Sequence, residues 1–124
     1  MSEYMKTLLE NSAKACGVDF YEGSFVEENE DSYASILGKV PVPSKEHEYH
    51  GLWVESHWFP HQNLDQMFFV VSRLGLVLNF TEGFVYDYYN PSNKSFFEPT
   101  MIQHVMWSVM EVAANIGQSE KESK

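Results

Sequence analysis

The stretch Trp58-Phe-Pro-His-Gln-Asn-Leu-Asp-Gln-Met-Phe-Phe-Val-Val-Ser-Arg-Leu-Gly75 decides the fold. It carries a helix start, a periodic apolar run and a helix stop. Asn63 is placed to cap with its side-chain oxygen, and Gln66, three residues on, can reach back as in a capping box. Leu64, Met67, Phe68, Val71 and Leu74 recur at helical spacing and are expected to form the core-facing side. Gly75 supplies the stop, with Leu76 as the apolar contact beyond it. Against this, Phe68-Phe-Val-Val71 favours a strand and allows a hairpin through Leu74-Gly75. Agreement of both end signals outweighs propensity and predicts a helix over 64–74.

Working towards the N-terminus, residues 49–58 alternate as a strand, with Leu52, Val54, Ser56 and Trp58 on one face and Trp53, Glu55 and His57 on the other. One or two short strands are expected in 18–40, and Pro41 and Pro43 argue for a connection rather than a central strand there. Residues 3–16 read as a helix with Ser2 as its cap, an inner face of Met5, Leu8, Leu9, Ser12, Ala13 and Cys16, and Gly17 as its stop.

Towards the C-terminus, 76–82 and 84–89 read as a hairpin turned by Glu82-Gly83, and Asn90-Pro91-Ser92-Asn93 as a turn. In the hairpin Leu76, Leu78 and Phe80 are expected to face inward. Pro99 opens a last helix over 99–116, with Ile102, Val105, Met106, Val109, Ala113 and Ile116 inward and Gly117 as its end. The expectation is an α+β domain over 1–117: three helices packed with an antiparallel sheet of about three to five strands, and a polar tail over 118–124.

Composition bounds the function. The 124 residues suffice for one domain, and 15% aromatic content argues for a packed core. One cysteine, Cys16, forms no internal disulfide, and residues 1–20 lack a secretory pattern, so a cytoplasmic protein is expected. No apolar run is long enough for a membrane span. A net charge of −10 disfavours direct nucleic-acid binding and suits either solubility or a basic protein partner.

Three sequence pieces carry a resemblance. They are a first helix ending Ala15-Cys16-Gly17, an aromatic-proline entry to the helix ending Val70-Val-Ser-Arg-Leu-Gly75, and Phe97-Glu-Pro-Thr100 leading into a terminal amphipathic helix with an Ala-Ala pair. In that order they resemble the phage ABA-sandwich domain family, small proteins encoded in bacteriophages and prophages. His61-Gln62-Asn63 stands where the family usually has a Ser/Thr-Asp-type cap, and Phe68-Phe69 where it often has tryptophan. The resemblance implies helices packed on an antiparallel sheet and a phage accessory protein in the host cytoplasm. It brings no catalytic residues.

Two side-chain groups are candidates for chemistry. His47, His50, His57 and His61 fall within one short segment, but seven strand residues separate His50 from His57 by roughly 20 Å, so a single metal site using all four is not expected. Surface and turn histidines, with His57 or His61 stacked on aromatics, are the simpler account, and no metal or cofactor is expected. No phosphate-binding glycine loop or nucleophile elbow is present.

The second group is acidic and aromatic. Glu22, Glu27, Glu28, Glu30 and Asp31 form a run of acids without a base, and Trp53 and Tyr88 are candidate aromatic anchors. The leading expectation is therefore a non-enzymatic protein whose acidic segment docks on a host protein with a basic surface. An inhibitor or modulator of a defence or nucleic-acid-handling factor fits this charge. Alternatives are a toxin-immunity protein and a small metal-dependent enzyme using His50, His57 and His61.

Overall fold

The computed structural model describes residues 2–28, 33–41 and 53–122. It is α+β, with three helices and two antiparallel sheets. The helices are α1 (Ser2–Cys16), α2 (Leu64–Leu74) and α3 (Ile102–Glu122). The first sheet holds β1 (Asp19–Phe20), β2 (Val26–Glu28), β3 (Tyr33–Pro41) and β4 (Trp53–Trp58); the second holds β5 (Leu76–Asn79), β6 (Phe84–Asp87) and β7 (Asn90–Phe96). The strands expected in one sheet are thus divided between two.

The central helix forms where its end signals place it. Asn63 Oδ1 accepts the Gln66 N–H at 3.0 Å, and Gly75, at φ 68°, donates its N–H to Val71 O. Asn63→Ala is expected to cost about 1 kcal/mol in urea unfolding.

The face it buries differs from the periodicity reading. Met67 is buried and Val71 and Leu74 pack against the core as expected, but Gln66, Phe69 and Val70 are buried as well, whereas Leu64 and Phe68 are about half exposed. The physical reason is Gln66. Rather than closing a capping box, its carboxamide accepts the Phe59 N–H at 2.7 Å and donates to His57 O at 2.8 Å. The chain leaving β4 has backbone groups to satisfy, and the helix is turned to bring this side chain to them.

β3 is the common partner in the first sheet: β1, β2 and β4 each pair with it antiparallel. Pro41 sits at the last position of β3, opposite Trp53, so it ends a central strand instead of excluding one. Between β1 and β2 the chain leaves the ladder, and Ser24 Oγ accepts the Leu37 N–H at 2.9 Å in place of a backbone acceptor.

α1 covers this sheet with the expected residues: Met5, Leu8, Leu9, Ser12, Ala13 and Cys16 are all buried. Its end is a Schellman arrangement, with Val18 N–H on Ala13 O and Gly17 N–H on Lys14 O, Gly17 taking φ 76°. Trp58, fully buried, donates its indole N–H to Ser12 Oγ at 3.1 Å, and Ser12 in turn donates to Leu9 O. A polar atom on each layer is thereby satisfied inside the core.

The second sheet corrects the reading of 90–93. Asp87 pairs with Asn90 across a two-residue turn at Tyr88-Tyr89, held by the Tyr89 N–H donating to Asp87 Oδ1 at 3.0 Å. Pro91 is tolerated because β7 is an edge strand. The register shift beside Tyr86 and Asp87 takes up the extra β7 residues. Leu76, Val85 and Asp87 face inward, while Phe80 lies past the end of β5 and is half exposed.

α3 packs on β6 and β7, against α1, and against α2. It starts three residues after Pro99, following a turn in which Met101 N–H meets Glu98 O. It does not stop at Gly117, which lies within the helix and against the carbonyl of Asn11 on α1. Helix continues to Glu122, through most of the segment expected to be a tail. Tyr4 meets Glu111, and Asn11 meets Gly117, so α1 and α3 run in the same direction. The Tyr4 hydroxyl titrates above its ordinary value, first because of burial and then because of the Glu111 charge.

Candidate interaction surface

Three of the acidic candidates, Glu22, Glu27 and Glu28, lie at the β1–β2 edge of the first sheet. Glu22 is exposed in the turn after β1, Glu27 is exposed on β2, and Glu28 is the last residue of β2. Glu30 and Asp31 lie outside the described residues. The face of this sheet away from α1 mixes charged and polar side chains with Val26 and Leu37. Lys39 stands between Asp19 and Glu55 in register, an alternation of sign across three strands. Tyr21 donates its hydroxyl to Glu55 Oε1 at 3.1 Å, and that hydrogen bond is the chief reason its pKa is raised. His57 Nδ1 is 3.1 Å from Ser35 Oγ on the same face.

The aromatic candidates fare differently. Trp53 is half-buried, with its ring edge-on to Phe69 at 5.8 Å, so its contacts are already internal. Tyr88 is 64% exposed and stands edge-on to Tyr89, which is 81% exposed. This pair crowns the β6–β7 turn of the second sheet, separate from the acids of the first.

The histidine segment is split. His47 and His50 lie outside the described residues. His61 is buried, with its ring edge-on to Trp107 at 5.9 Å, while His57 is exposed. Among the described residues no three His, Cys, Asp or Glu side chains are grouped to hold a metal ion. Cys16 is a buried core residue on α1. No helix among the described residues is long and apolar enough to cross a membrane.

One surface is half visible in the sequence, where the alternation of Phe84, Tyr86 and Tyr88 puts them on one strand face as a candidate protein-binding patch, and β7 supplies the other half. On the outward face of the second sheet, Phe84 stands opposite Phe96, and Tyr86 opposite Lys94. Ring centroids are 5.7 Å apart for Phe84 and Tyr86 and 5.8 Å for Phe84 and Phe96. Lys94 Nζ lies 5.8 Å from the Phe84 ring centre and 5.9 Å from that of Phe96. The signal for the β7 half was the two-residue spacing of Lys94 and Phe96, which reading 90–93 as a turn concealed.

No protein-family model, curated protein or solved structure matches the chain.

Proposed function

We propose that this is a phage-encoded accessory protein that acts by binding, as an acidic inhibitor or modulator of a host defence or nucleic-acid-handling protein with a basic surface. The binding reading is carried by the tyrosine pair Tyr88 and Tyr89, which remain more than half exposed at a hairpin tip although the Tyr89 ring lies over Gly75. Tyrosine is a frequent interface anchor because it offers large contact area at low entropy cost. The acidic part of the reading draws support from the net charge of −10 and from Glu22 and Glu27, both exposed at one sheet edge. Phage origin and the host cytoplasm rest on the three-piece sequence resemblance. A toxin-immunity role would share the charge and gains no separate observation.

The test is capture of a partner from host lysate at low and high salt, followed by kinetics on the purified pair. Reversing Glu27, Glu28, Glu30 and Asp31 to lysine is expected to slow association at least about tenfold and flatten its salt dependence. Tyr88→Ala is expected to act mainly on dissociation. Unchanged binding by the lysine variant would remove the acidic segment from the interface.

A further inference from the structure

We propose that the outward aromatic face of the second sheet, formed by Phe84, Tyr86 and Phe96, receives arginine side chains of a basic partner protein, with Lys94 holding the place until then. The inference rests on the reading above that the partner is basic, and it names the chemistry by which a second surface would hold it.

Two observations and one physical rule lead there. The rings form one patch, and Phe96, at its edge, is 69% exposed. An aromatic face carries negative quadrupole charge and attracts cations within about 6 Å. The chain's own Lys94 already sits within that range of two of the rings, so the patch is a cation cradle in the free protein.

Charge then selects the occupant. A second copy would bring another −10 against the same face. Single-stranded nucleic acid also stacks on sheet aromatics, but its phosphates meet the same opposing field. A basic protein segment is drawn in by that field. Arginine suits the rings better than lysine because its planar guanidinium is weakly hydrated and can stack.

The experiment uses the full chain with three probes: a hexa-arginine peptide, a hexa-lysine peptide of equal charge, and a short oligothymidine. Tryptophan and tyrosine fluorescence or calorimetry at physiological ionic strength reads the affinities. The arginine peptide is expected to bind several-fold tighter than the lysine peptide, with the oligothymidine weakest. Phe96→Ala, a largely exposed change that leaves the core intact, is expected to weaken arginine-peptide binding about fivefold. Lys94→Ala is expected to preserve or tighten it by vacating the cradle.

Equal affinity for the two peptides together with an unaffected Phe96→Ala variant would overturn the inference, since the field alone would then account for binding. Preference for the oligothymidine would overturn it in favour of single-strand stacking. The two proposals fail separately. If the acidic-segment lysine variant loses the arginine peptide while Phe96→Ala does not, the aromatic face is excluded and the acidic reading stands. If only Phe96→Ala loses it, the aromatic face stands without the acidic segment.

Discussion

Gly117→Ala is expected to destabilise the protein by about 3 kcal/mol, lowering its melting temperature by on the order of 10 °C. Local propensity argues the opposite sign. In an exposed helix interior, alanine is worth about 1 kcal/mol more than glycine. Gly117 is buried inside α3, however, and a Cβ there would overlap the Asn11 carbonyl oxygen and come within 2.7 Å of its carbon. Both are backbone atoms of α1, so no side chain can swing away. α1 and α3 would have to separate along the contact that joins the two halves of the core, around Leu8, Leu9, Ala113 and Ala114. Separation by about one ångström forfeits dispersion contacts along its whole length. Ser119→Ala, on an exposed position of the same helix, is the control and should stay within about 0.5 kcal/mol of wild type. Urea unfolding of both variants decides the matter. A Gly117→Ala protein as stable as the control would mean that the helices do not approach this closely.

That glycine shows which parts of the fold are legible in the chain. Asn63, Gly17 and Gly75 act through hydrogen bonds to residues three to five positions away, so local sequence contains both partners. The inner face of α1 could also be read, because one stripe meets one layer. Gly117 looked like the same kind of stop signal, yet its reason to be glycine is Asn11, more than a hundred residues earlier. The division into two sheets likewise depends on pairings such as Ile36 with Trp58 and Tyr86 with Lys94. Alternation announces a strand but not its partner. β7 was hidden for a related reason: Asn90-Pro91-Ser92-Asn93 has turn composition, and only an edge position excuses it. Alternation alone puts Phe84 and Tyr86 on one face, whereas Phe96 and Lys94, which complete the aromatic surface, lie on that strand and were hidden with it. The acidic run was visible as composition, whereas the hydrogen bond between Tyr21 and Glu55 beside it required the fold.

Gln66 is where the rotated face of α2 can be tested, and Gln66→Leu is expected to cost roughly 3 kcal/mol at every pH. Leucine preserves the approximate volume and leaves the Asn63 cap untouched, because that bond uses the residue 66 backbone N–H. It removes the acceptor for Phe59 N–H and the donor to His57 O, and each group left unpaired away from water costs about 1–3 kcal/mol. Had Leu64 and Phe68 formed the inner face, position 66 would lie outward and the change would be almost silent. Gln66→Glu sharpens the test. A neutral carboxyl can still donate to His57 O and accept from Phe59 N–H. A carboxylate can only accept, and it places charge against a carbonyl oxygen in a buried site, where Gln66 is 7% exposed. The folded-state pKa of the introduced acid is therefore raised above its unfolded value of about 4.3. Stability from such a group is fully present below the unfolded pKa and lost as pH rises through the folded one. Relative to wild type at each pH, Gln66→Glu should be nearly harmless near the acid end of the native range and approach the cost of Gln66→Leu above neutrality. Wild type has no titrating group at this position, so the difference isolates it. A penalty for Gln66→Glu that does not change with pH would place the side chain in water and restore the periodicity reading of the helix.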